Sequence, residues 1–271
     1  MNTLDKFRLD GKVCVITGGA GFLGVKHAEA LLDAGARVIL VDVNKDKLNS
    51  VIATDLKGNK YAMGFQFDIT DEHSVMLSVK HMWGFYGPIS VLINNAANNP
   101  VLPNPESSRF ENFDYGIWRR DFDVNVTGAF FMSREVGKRM AENGGGVVLN
   151  IASDLGVIAP DQRIYKQEGV DESKQPVKPV TYSVTKHALI GLTKYLATYW
   201  ADKGIRVNSL SPGGVYNGHP DEFVQRLSNL IPMNRMANID EYKAAIVFLC
   251  SDASSYMTGA NLVIDGGRTC W

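Results

Sequence analysis

The chain has 271 residues, of which 45% are hydrophobic and 21% charged, and a net charge of −1. That length allows one large α/β domain or two small ones, with a substantial core. The near-neutral balance gives no electrostatic case for nucleic acid or an anionic membrane surface. Cys14, Cys250 and Cys270 are far apart and match no metal-ligand spacing, so no metal is expected. Cys14 and Cys250 sit in apolar runs as small buried hydrophobes, and an odd, unclustered set suits a reducing compartment. The start carries Asp5, Lys6, Arg8 and Asp10 and does not read as a signal peptide. No apolar run approaches the ~18 residues of a membrane span, so a cytoplasmic protein is expected.

Lys12-Val13-Cys14-Val15-Ile16-Thr17 reads as a first strand and runs into Gly18-Gly19-Ala20-Gly21-Phe22-Leu23-Gly24. A helical segment follows, then a second strand, Arg37-Val38-Ile39-Leu40-Val41-Asp42. Strand, glycine turn, helix and strand in this order form a dinucleotide-binding unit. The glycines let the backbone turn and approach a pyrophosphate at the helix N-terminus. Asp42 ends the second strand, where a carboxylate accepts hydrogen bonds from ribose hydroxyls and repels a 2′-phosphate. No Arg or Lys occupies residues 18–24 or 43–44, so NAD is favoured over NADP.

The alternation continues. Residues 61–68 read as a strand, and the next helix starts at Asp71 with Thr70 as its N-cap and Gly84 or Gly87 beyond its end. Ile89-Ser90-Val91-Leu92-Ile93-Asn94 is a strand that meets the small, polar run Asn95-Ala96-Ala97-Asn98-Asn99. Residues 114–142 read as one helical stretch with Asn125 in its interior, where Asn is mildly unfavourable. Strands follow at 146–153, ending on Ser153, at 205–211, and at 261–267. Helices are expected at 182–203, 221–230 and 240–250. Seven strands alternating with helices imply a doubly wound parallel sheet covered on both faces. No repeat, low-complexity tract or linker divides residues 1–271.

Tyr182 and Lys186 are four apart on the penultimate long helix, so phenol and ammonium share one face. A neighbouring cation favours the phenolate and lowers its pKa, which makes the pair a general acid/base.

In the order and spacing of these motifs the chain resembles the single-domain short-chain dehydrogenases/reductases, over residues 9–267. The motifs are the glycine turn, Asp68-Ile69, Asn94-Asn95-Ala96-Ala97, Asn125, Ser153, Tyr182-x-x-x-Lys186, Pro212-Gly213 and Thr258-Gly259-Ala260-Asn261 to Asp265-Gly266-Gly267. The resemblance implies that Tyr182 exchanges the substrate proton and that Ser153 hydrogen-bonds the substrate oxygen. It implies that Lys186 lowers the Tyr182 pKa and binds the nicotinamide ribose, and that Asn125 holds a relay water. Gly18, Gly21, Phe22, Leu23, Asp42, Asp68, Ile69, Asn95, Ala96, Ala97, Pro212, Gly213 and Val215 would line the cofactor, together with Tyr182 and Lys186. A homotetramer or homodimer is implied, with the Asn125 and Tyr182 helices and the last strand at its contacts.

Three departures stand out. The glycines read Thr-Gly-x-x-Gly-x-x-Gly, a spelling commoner in the branch with nucleotide-sugar epimerases, and an NAD-dependent epimerase is the corresponding alternative. After Pro212-Gly213 the family often has a Thr on the nicotinamide amide; here Asn217 is the nearest polar residue. Ser153 and Tyr182 are 29 residues apart, well beyond the usual gap. The extra segment, 161–179, would close over the active site with loop 214–239. Arg163, Tyr216 and His219 are candidate substrate contacts there. The insertion, with Leu196-Ala197-Thr198-Tyr199-Trp200, is similar to bacterial oxidoreductases of flagellin glycan and nonulosonic-acid pathways. The expectation is an NAD(H)-dependent oxidoreductase that interconverts a secondary alcohol and a ketone on a polar, sugar-like substrate. Reduction of 3-oxoacyl or steroid substrates is a weaker rival, since no basic patch would dock an acyl carrier. A non-enzymatic NAD sensor is disfavoured because Asn125, Ser153, Tyr182 and Lys186 are all present.

Overall fold

The computed structural model describes residues 2–99 and 102–271. Seven strands, β1 (Val13–Thr17), β2 (Arg37–Asp42), β3 (Ala62–Gln66), β4 (Ile89–Asn94), β5 (Gly146–Ile151), β6 (Ile205–Pro212) and β7 (Asn261–Ile264), form one sheet. Their order is β3-β2-β1-β4-β5-β6-β7, and every pairing is parallel. This is the doubly wound α/β architecture that the alternating pattern implies. Strands buried on both faces need near-continuous apolar sequence, and β1, β2 and β4 supply it with Val, Ile and Leu.

Alternation within each strand sends side chains to two cores. Cys14, Ile16, Val38 and Leu40 face a layer built from α1 (Phe22–Asp33), α2 (Lys45–Ala53) and α8 (Lys243–Cys250), through Ala28, Leu31, Leu48 and Ile246. Val13, Val15, Ile39 and Val41 face α3 (Glu72–Tyr86), α5 (Gly128–Glu142) and α6 (Val180–Tyr199), through Val79, Met132, Val136 and Leu196. Cys14 and Cys250 are buried in the first layer as apolar filler.

Several expected boundaries move. The N-cap of α3 is Asp71, whose side chain accepts from the Ser74 N–H, and not Thr70. Thr70 instead donates to Asp68 from both its N–H and its hydroxyl. The stretch 114–142 is helical throughout but in three pieces: α4 (Tyr115–Phe122), a π turn (Asp123–Thr127) and α5. α6 begins two residues before Tyr182. The short helix in the 214–239 loop is α7 (Asp221–Ser228). No helix is long and apolar enough to cross a membrane among the described residues.

Among the described residues His27, Asn94 and Ser183 each bury a side-chain polar atom without a partner, and His27 is the titratable one. His27, on α1, is fully buried, and neither ring nitrogen has a hydrogen-bond partner. Burial depresses its pKa to about 3, so the folded protein holds it neutral while the unfolded chain titrates near ~6.5. The folded-state value is the lower one, so its contribution to stability is complete above ~6.5 and is lost as pH falls towards 3. Denaturant melts from pH 7 to pH 4 should show the parent losing up to ~1.4 kcal/mol per pH unit more than His27→Leu below pH ~6.5. Parallel stability curves for the two proteins would refute this.

Candidate active site

The chain runs outward from β1 to β3 and returns to β4 on the other side of β1, so the crossovers part at the carboxyl ends of β1 and β4. Ligands bind at such a switch point, and here it opens into a cavity of about 970 Å³. Past Thr17 the backbone enters the left-handed region at Gly18, φ +61°. A Cβ there would come within 2.7 Å of the Ala96 Cα, so glycine is required. α1 starts at Phe22 with Gly21 as an N-cap that offers no side-chain hydrogen bond. Its first N–H groups are therefore available to an anion, and Gly18, Gly21, Phe22 and Leu23 line the cavity.

Asp42 lines the same cavity and accepts from the Ala20 N–H at 3.3 Å and the Asn44 N–H at 3.1 Å. Lys47, in the first turn of α2, lines it too, a cation outside residues 18–24 and 43–44. Asp68 and Ile69 form the outer wall, and Ala96, Ala97, Pro212, Gly213 and Val215 the inner one. Asn95 is also on the lining, but its amide donates to the Thr17 and Gly18 carbonyls at 3.0 Å each. It acts as a staple between β4 and the glycine turn.

Ser153, Tyr182 and Lys186 meet at the other end of the cavity. Ser153 follows β5 and its hydroxyl donates to Asp154 Oδ1 at 2.8 Å. Lys186 is buried and donates to the Ile151 carbonyl at 2.8 Å, with its ammonium 5.8 Å from the Tyr182 ring centre. Asn125 is buried in the π turn behind this wall and does not line the cavity. Its Oδ1 accepts from the Asn98 N–H at 2.5 Å, and its amide donates to the Asn98 carbonyl at 3.1 Å and to Thr185 Oγ1 at 3.2 Å. Both amide protons are thus engaged in clamping the loop after β4 to α6. A relay water would need another donor than this amide.

The expected lowering of the Tyr182 pKa is corrected. Burial pushes the phenol up; the Ser153 hydroxyl opposes that, and the Asp154 charge adds to it. Burial also drives the pKa of Lys186 down to about 8, helped by repulsion from Lys178. In this state the pair is a protonated phenol beside an easily deprotonated ammonium. Desolvation outweighs the charge attraction on which the sequence argument relied.

The two segments expected to close the site pack against each other. Ile164 joins Leu227, Ile231 and Met236 in a third small core, flanked by Tyr165 and Phe223. Arg226 of α7 donates to the Lys166 carbonyl. Gln175 ties the insertion together through the Gln167 N–H and the Gln167 and Val170 carbonyls. The three suggested substrate contacts diverge. His219 lines the cavity, stacked 5.4 Å from Phe223. Tyr216 is half exposed and lies off the lining. Arg163 is off the lining as well, with a side chain 82% exposed and paired with Asp161 at 2.6 Å.

Three residues around the reacting end were not expected from the sequence to act there. Arg268 and Asp154 form a 2.6 Å ion pair with side chains only 6% and 4% exposed. Asp154 adjoins Ser153, which is a usable signal; its partner lies 114 residues away, and nothing local announces it. Lys178, the last cation before Pro179, lies 3.9 Å from the centre of the Tyr182 ring. The even mixture of charges in the insertion hid it.

The family signature described as short chain dehydrogenase matches residues 12–165, and that described as enoyl-(acyl carrier protein) reductase matches 170–269. The chain belongs to the short-chain dehydrogenase family. D-threitol dehydrogenase of Mycolicibacterium smegmatis is 37% identical, with 97% of this chain and 95% of that protein covered. A gluconate 5-dehydrogenase from Burkholderia cenocepacia, solved with NADP and tartrate, superposes with a TM-score of 0.86 at 28% identity over 100% of both chains. An NAD+-bound xylitol dehydrogenase gives 0.83 at 29% identity, covering 95% of this chain and 99% of that one. A nicotinamide cofactor is thus the common property of these structures.

The Arg268–Asp154 pair predicts a stability effect. Arg268→Met strands a buried carboxylate and should cost about 3–5 kcal/mol in denaturant unfolding. Adding Asp154→Asn should recover part of that loss; if the double variant is as unstable as the sum of the singles, the two side chains are not coupled.

Proposed function

We propose that this enzyme is an NAD(H)-dependent oxidoreductase that interconverts a secondary alcohol and a ketone on a polyhydroxylated, sugar-type substrate. The observation that carries this reading is one continuous cavity with the glycine turn and Asp42 at one end and Ser153, Tyr182 and Lys186 at the other. A dinucleotide fits the uncapped start of α1 and the Asp42 carboxylate. When bound, it supplies the hydride chemistry. The relatives named for threitol, gluconate and xylitol support the substrate class. A reacting end lined by Asp154, Lys178, His219 and Arg268 suits a polyol better than an acyl chain or steroid.

The protein's part is positional and protonic. Tyr182 takes the hydroxyl proton during oxidation and returns it during reduction. Ser153 stabilises the charge developing on the same oxygen once its hydroxyl turns from Asp154 to donate there. Lys186 would hold the nicotinamide ribose, and Asn125 acts at a distance by fixing the Asn98 loop. The adenosine ribose falls to Asp42, which favours NAD, while Lys47 is the residue that would serve a 2′-phosphate. A homo-oligomer through α5 and α6 is supported by Phe130, Tyr195 and Tyr199, exposed at 44%, 64% and 62%.

NADH formation with a panel of alditols and aldonates is the direct test. Tyr182→Phe should lower kcat at least ~100-fold and leave NADH affinity nearly unchanged; a variant with wild-type turnover would sink the mechanism. Because the phenol is held above its ordinary value and must lose its proton to act as a base, oxidation should rise with pH from 7 to 10 and carbonyl reduction should fall. Asp42→Ala should shift the NAD-to-NADP ratio of kcat/KM at least ~10-fold towards NADP. An unchanged ratio would assign the discrimination elsewhere.

A further inference from the structure

The reacting end of the cavity is unbalanced in charge. Three cations, Lys178, Lys186 and Arg268, line it against one carboxylate, Asp154. Arg268 and Asp154 neutralise each other at 2.6 Å, and Lys186 is held by the Ile151 carbonyl. Arg120 and Asp123 add one charge of each sign from α4 and the π turn. Asp42 and Asp68 lie on the far side of β1, at the ends of β2 and β3. The positive charges left over are Lys186 and, nearer the face of the Tyr182 ring, Lys178.

The surroundings of Lys178 are those of a cation without a counter-ion. Its ammonium donates to Asn99 Oδ1 at 3.3 Å and stands 3.9 Å from the centre of the Tyr182 ring. Neither group is an anion, and no Asp or Glu forms an ion pair with it among the described residues. Burial depresses its pKa to about 8, the mark of an ammonium whose lost hydration has not been replaced. An ammonium has three donors, and Asn99 and the ring face occupy two of its directions. A neutral polyol would leave this deficit in place. A carboxylate would cancel it with a charge-assisted hydrogen bond. Its closeness to Tyr182 sets the position: an acid group on Lys178 lies within a few bonds of the carbon whose oxygen meets Tyr182.

Resting on the dehydrogenase reading above, we propose that the substrate is a sugar acid of the aldonate type, its carboxylate close to the reacting carbinol and received by Lys178. Lys178 is then the residue that separates acids from alditols of the same length.

The test uses the full chain, with D-gluconate and D-glucitol as a matched pair that differs in the acid group. Binding of each to the NADH-saturated protein is measured by calorimetry, and kcat and KM with NAD are measured in parallel, for the parent, Lys178→Met and Lys178→Arg. The parent should bind gluconate at least about tenfold more tightly than glucitol. Lys178→Met should collapse the acid-to-alditol ratio towards one, mainly through KM for the acid, and Lys178→Arg should retain most of it. Equal binding of acid and alditol, or no binding of gluconate, overturns the proposal. So does a Lys178→Met variant that loses turnover on both substrates with their ratio unchanged, which would make Lys178 a support for Tyr182. Turnover of glucitol without acid preference would leave the dehydrogenase reading standing. Lys178-dependent gluconate binding without turnover of any polyhydroxylated compound would support the anchor and remove that reading.

Discussion

Parallel pairing is the constraint from which the rest follows. Because all seven strands run the same way, every strand delivers its last residue to one edge of the sheet. Thr17, Asp42, Asn94, Ile151 and Pro212 are therefore brought to that edge from across the chain. The helical crossovers that parallel pairing demands cover both faces and leave this edge open to a small ligand. Placing an adenosine-binding carboxylate and a proton-transferring phenol at opposite ends of one cavity needs no further device than strand order.

Beneath that edge lies a layer of buried amides and hydroxyls. Asn94 donates to Ser133 at 2.9 Å and to Asn150 at 2.8 Å, and Asn150 donates to Thr193 at 2.8 Å, so β4, β5, α5 and α6 are joined side chain to side chain. Asp121 continues the layer, accepting from Asn98 and Thr181. Each such bond contributes modestly, about 1 kcal/mol, but leaving one partner unsatisfied costs more than the bond provides. The layer therefore sets geometry more than it adds stability. Asn125 belongs to it: the π turn, a feature frequent at functional sites, brings its amide to both backbone groups of Asn98.

Much of the fold was legible because its signals are local. Apolar runs such as Val13–Thr17 and Arg37–Asp42 mark buried strands by composition alone, and the glycine turn between them carries its own geometry. The short helix α2, Lys45–Ala53, was passed over because it has only Leu48 and Val51 to bury and so shows little periodicity. Tyr182 and Lys186 were legible through spacing, and Ser153 through the family motif order at the end of β5. What escaped depends on distance or on environment. Arg268 meets Asp154 only once β7 has docked beside β6. The direction of the Tyr182 pKa depends on how much water the cavity walls remove, which no spacing records. Arg163 was misassigned because its nearest carboxylate, two residues away, holds it on the outside.

The cap over the site has a small core of its own, Ile164 from the insertion with Leu227, Ile231 and Met236 from the 214–239 loop. Each segment buries its apolar side chains against the other, so loosening one removes packing from both. Exchanging one of them between related enzymes would leave the other without its packing partner. Recasting the substrate end of this cavity is thus a matter of changing both segments at once, even though they are separated in the sequence by the whole of α6 and β6.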